Sequence, residues 1–123
     1  MKNISPHVTI YKFPITAISS IANRITGLTL TGLFVSSGTL SLFNIDPLDQ
    51  YQKCNSIVKR MINYSAVTPS VYHTLGGIRH FVWDKYPSLM TNTKVSQSSY
   101  FLFGSTLIMS VAIENVLNFK INQ

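Results

Sequence analysis

ITGLTLTGLFVSSGTLSLFNI, residues 25–45, runs from Arg24 to Asp46 without one ionisable side chain. The hydrocarbon core of a bilayer is about 30 Å thick, and a helix rising about 1.5 Å per residue crosses it in about 20 residues. This stretch of 21 is long enough. A helix on the surface of a soluble bundle would carry a charged face at a period of 3.6 residues, and residues 25–45 have none.

Two more gaps in charge lie further along. VSQSSYFLFGSTLIMSVAIENVLNF, residues 95–119, holds a single charge, Glu114. MINYSAVTPSVYHTLGGI, residues 61–78, is uncharged but more polar. Polar residues in a membrane helix face the bundle interior or a cavity, so they point toward function. The pattern predicts an all-α integral membrane bundle, one domain over 1–123, with three transmembrane helices at about 22–45, 58–83 and 96–119.

Composition agrees. Charged residues make up 11% of the chain, against about 25% in an average soluble domain. The net charge of +6 invites a nucleic-acid reading, but only Lys59 and Arg60 are adjacent, and there is no basic stripe. No nucleic-acid partner is expected. The single Cys54 cannot form an internal disulfide. Residues 1–14, polar and interrupted by Pro6 and Pro14, lack the pattern of a cleavable signal. Lys2, Lys12, Arg24, Arg79, Lys85 and Lys94 on one side outnumber Lys53, Lys59, Arg60 and Lys120 on the other, which leans toward a cytoplasmic or matrix N-terminus.

The middle helix carries a polar stripe. His73, Gly77, His80 and Asp84 fall at i, i+4, i+7 and i+11, near one face. A neutral imidazole at membrane depth suits iron, and Gly76 and Gly77 remove bulk where a flat macrocycle could approach. Such a histidine also serves elsewhere as an ordinary packed side chain. Pro69 frees a carbonyl one turn before His73. His73 and His80 lie about 10.5 Å apart along one helix, so both cannot ligate one iron. A bis-histidine haem would take its second ligand from another chain. Arg79 and His80 suit a carboxylate at the membrane boundary, or, with Trp83 and Lys85, simple interfacial anchoring.

The first helix has a second stripe, Ser20, Arg24, Gly27 and Thr31, at the same spacing. Arg24 brings a permanent charge and Ser20 a hydroxyl, a pair able to stabilise the oxygens of a quinone during reduction. The competing reading has Arg24 snorkelling and Ser20 capping the helix.

SPHVTIY at 5–11, FPITAISSIANRITG at 13–27 and HTLGGIRHFVWD at 73–84 resemble the cytochrome b membrane-anchor subunit of succinate dehydrogenase, respiratory complex II. The last segment follows that family's H-x-x-x-G-[aliphatic]-R-H-x-x-[aromatic]-D pattern. The resemblance implies that His73 is an axial ligand of haem b, opposite a histidine of a second small anchor subunit. It implies that Ser20 and Arg24 contribute to a ubiquinone site completed by the iron–sulfur subunit and the other anchor. Asn23, Arg79 and His80 would lie near the haem propionates or support the site, and Asp84 would have a structural or proton-handling role. Flavin and iron–sulfur clusters would belong to partner subunits, and the chain itself would not oxidise succinate. The implied setting is the mitochondrial inner membrane, with the bacterial plasma membrane as the alternative. One position departs: the family usually reads S-x-x-H-R, and this chain has Ser20, Asn23 and Arg24. Asn23 cannot become cationic, which leaves a structural subunit without haem as the second reading.

Overall fold

The computed structural model describes residues 13–121, with side chains through Phe119. SPHVTIY, with His7, lies outside the described residues, as do Lys2 and Lys12. Four helices follow one another: α1 (Ile15–Leu42), α2 (Pro47–Lys53), α3 (Ser56–Lys85) and α4 (Asn92–Ile121). A single 3-10 turn, Pro87–Leu89, joins α3 to α4. α3 packs against both α1 and α4 and forms the centre of the arrangement.

The helix ends follow local chemistry, and they shift the expected bounds. α1 starts at Ile15 rather than near 22, because the extended Pro14 blocks continuation and its carbonyl accepts from Ala17 and Ile18. It stops at Leu42, short of the expected 45. There Asn44 takes φ of 57°, which lets Ile45 N–H reach Leu40 O at 3.0 Å and Asn44 N–H reach Ser41 O at 3.1 Å. The gaps between charges do not anticipate α2. Asp46 caps it by accepting from Leu48 N–H at 2.9 Å, with Pro47 in the first turn. Asn55 caps α3 in the same way through Val58 N–H at 2.8 Å, and α3 then runs unbroken through Pro69.

The packing is inverted relative to a water-soluble protein. The buried positions include Ser19, Ser99, Thr106, Ser110 and Glu114, whereas Leu28, Phe34, Phe101 and Ile108 are among many large apolar side chains left exposed. In water that arrangement would forfeit most of the hydrophobic driving force, while in lipid it is the stable one. α1 and α4 are each long and apolar enough to cross a membrane. The hydroxyls of α1 suit that setting: Thr26, Thr29, Thr31, Ser36, Ser37, Thr39 and Ser41 all donate to carbonyls of their own helix. They therefore ask nothing of the lipid.

Candidate functional site

Two seams of polar contacts hold the long helices. The first lies where the start of α1, the end of α3 and the start of α4 meet. Tyr72 Oη donates toward Ser19, 3.1 Å from both its carbonyl oxygen and its Oγ. Arg79 reaches Ser19 Oγ at 2.9 Å and Ser99 Oγ at 3.1 Å, tying all three helices. Its guanidinium also lies 4.6 Å from the centroid of the Trp83 ring, and His80 meets the same ring edge-on at 5.4 Å. The second seam is at the other end of the bundle. Buried Glu114 accepts from Asn118 at 3.0 Å and from Asn63 at 3.5 Å, and Tyr51 donates to Asn63 at 3.0 Å.

Beside the first seam α1 and α3 interlock through two glycines. A Cβ at Gly76 would lie 2.5 Å from Asn23 Oδ1, so the Asn23 side chain fills the space that Gly76 leaves. A Cβ at Gly27 would lie 2.9 Å from Cε1 of His73, so the imidazole fills the space that Gly27 leaves. His73 Nδ1 is also 3.1 Å from the Asn23 carbonyl. The expectation that Gly76 and Gly77 together clear room for a macrocycle is thereby corrected. Gly76 is buried under Asn23, and only Gly77, where a Cβ would meet nothing within 4 Å, opens outward.

The polar stripe of α3 sorts accordingly. His73, Gly77, His80 and Asp84 are exposed along one face. Arg79 is turned away from them into the bundle, between Ser19 and Ser99, so it is more than an interfacial anchor. On α1, Ser20 is half-buried and Arg24 exposed, and among the described residues neither side chain has a hydrogen bond or ion pair within the chain. The capping reading of Ser20 fails, because the helix begins at Ile15 and Ser20 sits well inside it. Asp84 is exposed near the end of α3.

Ser19, Tyr72 and Ser99 do not stand out in the sequence, although Ser19 adjoins Ser20 and Tyr72 adjoins His73. Tyr72 and Arg79 are seven apart, hence on one helix face, and that is the available signal. Glu114 is visible as the lone charge in its segment, but its partners Asn63 and Asn118 are not.

All-helical over the described residues, with an apolar exterior and polar seams inside, the chain is a helical membrane protein. The chain belongs to the succinate dehydrogenase/fumarate reductase transmembrane subunit family, whose model matches residues 1–113. It is similar to the mitochondrial succinate dehydrogenase cytochrome b560 subunit of Dictyostelium discoideum, 28% identical over 94% of this chain and 62% of that protein. The mitochondrial b560 subunit of Sus scrofa is 30% identical over 89% of this chain and 68% of the relative. The succinate dehydrogenase cytochrome b560 subunit of Porphyra purpurea is also 30% identical, over 86% of this chain and 90% of the relative. The chain thus spans under two thirds of the Dictyostelium relative and most of the Porphyra one.

Proposed function

We propose that this chain is a membrane-anchoring cytochrome b subunit of a succinate:ubiquinone oxidoreductase in the mitochondrial inner membrane. Its single domain crosses the bilayer three times, through α1, α3 and α4, with α2 in the connection at one face. Family membership supports the assembly, and the mitochondrial naming of the relatives supports the location. α3 has 30 residues, about 45 Å of helix, and Tyr72, His73 and Arg79 along it bond to α1 and α4, which supports counting it as a span.

The observation that carries the redox reading is the posture of His73. Its ring is exposed on an open face, with Nδ1 bonded to the Asn23 carbonyl and Gly77 leaving clear space one turn on. These residues fit a haem. The family's implied haem b, when bound, supplies a one-electron carrier within the membrane. His73 would hold its iron, and a second small anchor subunit would supply the opposite histidine. His80, on the same face, would meet a propionate, while Arg79 and Asn23 act behind the site by holding α1 to α3. Asp84, at the end of that face, would have a structural or proton-handling role.

Ser20 and Arg24 would form this chain's share of the ubiquinone site, with the iron–sulfur subunit and the second anchor completing it. Reduction of a quinone to its quinol consumes two electrons and two protons. The electrons would come from succinate through the flavoprotein and iron–sulfur subunits. Fixed donors from Arg24 and Ser20 would stabilise the negative charge that develops on the quinone oxygens before protonation. The chain alone would not oxidise succinate. Arg24→Ala should lower quinone reduction by about 10²-fold, the effect of losing one oriented donor to a developing oxyanion, while succinate oxidation by an artificial acceptor persists. Undiminished quinone reduction would remove Arg24 from the site. The reading without haem, motivated by Asn23, would be selected by a purified assembly that reduces quinone and shows no b-type absorption.

A further inference from the structure

We propose that Gly27 and the main-chain carbonyl of Asn23 form a socket for the His73 imidazole, turning Nδ1 into α1 and presenting Nε2 to the open face. The inference rests on reading His73 as a haem ligand and adds what orients it.

An exposed histidine on a helix has several rotamers, and rotation about its last torsion swings the two ring nitrogens to different positions. Two contacts from α1 remove that freedom. The first is polar: His73 Nδ1 lies 3.1 Å from the Asn23 carbonyl oxygen, which can only accept. A neutral imidazole carries one N–H, so the bond places the proton on Nδ1 and leaves the lone pair on Nε2, as outer partners of metal-bound histidines do. The second contact is steric. A Cβ at residue 27 would stand 2.9 Å from Cε1, 3.4 Å from Nδ1 and 3.7 Å from Nε2 of the ring. The ring edge therefore rests against the α1 backbone, in a space that no other residue type leaves.

Three further features make the socket specific. At Gly32 and Gly38, in the same helix, a Cβ would meet nothing within 4 Å, so close approach is confined to Gly27. Ser19, one turn before Asn23, is fixed by Tyr72 and Arg79, which flank His73 on α3. That clamp sets the height of α1 against α3. Finally, the acceptor is a main-chain atom, so having Asn at residue 23, where the family usually has His, leaves it in place. The socket accordingly supports retention of the ligand geometry despite that departure.

The test compares purified assemblies carrying Gly27→Ala, Gly32→Ala, His73→Gly, and Gly27→Ala together with His73→Gly. Readouts are chain abundance in the membrane, haem per assembly, and the visible and low-temperature EPR spectra of the assembled fraction. Gly27→Ala should weaken haem retention by roughly 10–100-fold in affinity, the usual cost of an outer partner, and alter the EPR signal of any haem retained. Gly32→Ala should match the unsubstituted assembly. If Gly27→Ala prevents assembly, His73→Gly should suppress the defect, since removing the imidazole removes the clash. A Gly27→Ala assembly with unaltered haem content and spectra would overturn the socket, as would a double variant that stays as defective as Gly27→Ala. If His73→Gly itself left the haem spectrum unchanged, the haem reading would fall instead.

Discussion

Tyr72, Gly76 and Arg79 differ from His73, Gly77 and His80 by one position each, yet the two sets do opposite work on α3. The first set faces inward: Tyr72 and Arg79 converge on Ser19, and Gly76 receives Asn23. The second set faces outward, and among the described residues only His73 of this set is tied to another helix by a hydrogen bond. A step of one residue turns a helix by about 100°, enough to separate an interhelical seam from an open face. The two are nonetheless coupled, because the seam fixes the part of α1 against which His73 lies.

That division can be broken from either side. The largest change is expected from His73→Ala, which should abolish or transform the b-type spectrum while the assembly still forms. An unchanged absorption spectrum would exclude His73 as a ligand. Arg79→Ala should act on the seam instead. It removes two interhelical hydrogen bonds and the contact with Trp83, a loss of roughly 2–4 kcal/mol. Detergent-titration unfolding of the assembly would measure it, and stability equal to that of the parent would dissolve the three-helix junction. Tyr72→Phe, which keeps the ring against Phe103 and loses only the hydroxyl, should cost about 0.6–1.7 kcal/mol by the same measurement. Gly77→Ala should be the mildest in assembly level, because its Cβ enters open space. A drop in haem content without a drop in assembly would sharpen the contrast with Gly76, where Cβ would strike Asn23.

The opposite end of the bundle provides a second contrast. There Tyr51, Asn63, Glu114 and Asn118 form a chain of hydrogen bonds linking α2, α3 and α4. It is polar yet closed, with Glu114 only 1% exposed. The His73 face is polar and open, as the proposed haem reading requires.

Much of this is legible from residue order. The gaps between charges locate α1 and α4, because crossing hydrocarbon demands length and forbids ionised groups. The spacing of His73, Gly77, His80 and Asp84 marks the open stripe, because helical periodicity is set by the backbone alone. α2 is not legible in those gaps. It is short and comes from local capping at Asp46 and Pro47, a signal that charge spacing does not register.

Residue order alone is enough for the class of protein, the membrane setting, and the face of α3 that carries the histidines. What each polar group touches depends on the packing of the helices. Gly76 and Gly77 are identical neighbours in the chain, and Arg79 and His80 are adjacent cations or potential cations. Whether a side chain meets another helix or open space depends on how α1 and α4 cross α3, and that is set by contacts 20 to 60 residues apart in the chain. The same crossing gave Gly27 its place under the imidazole, a role that no local pattern around residue 27 could specify.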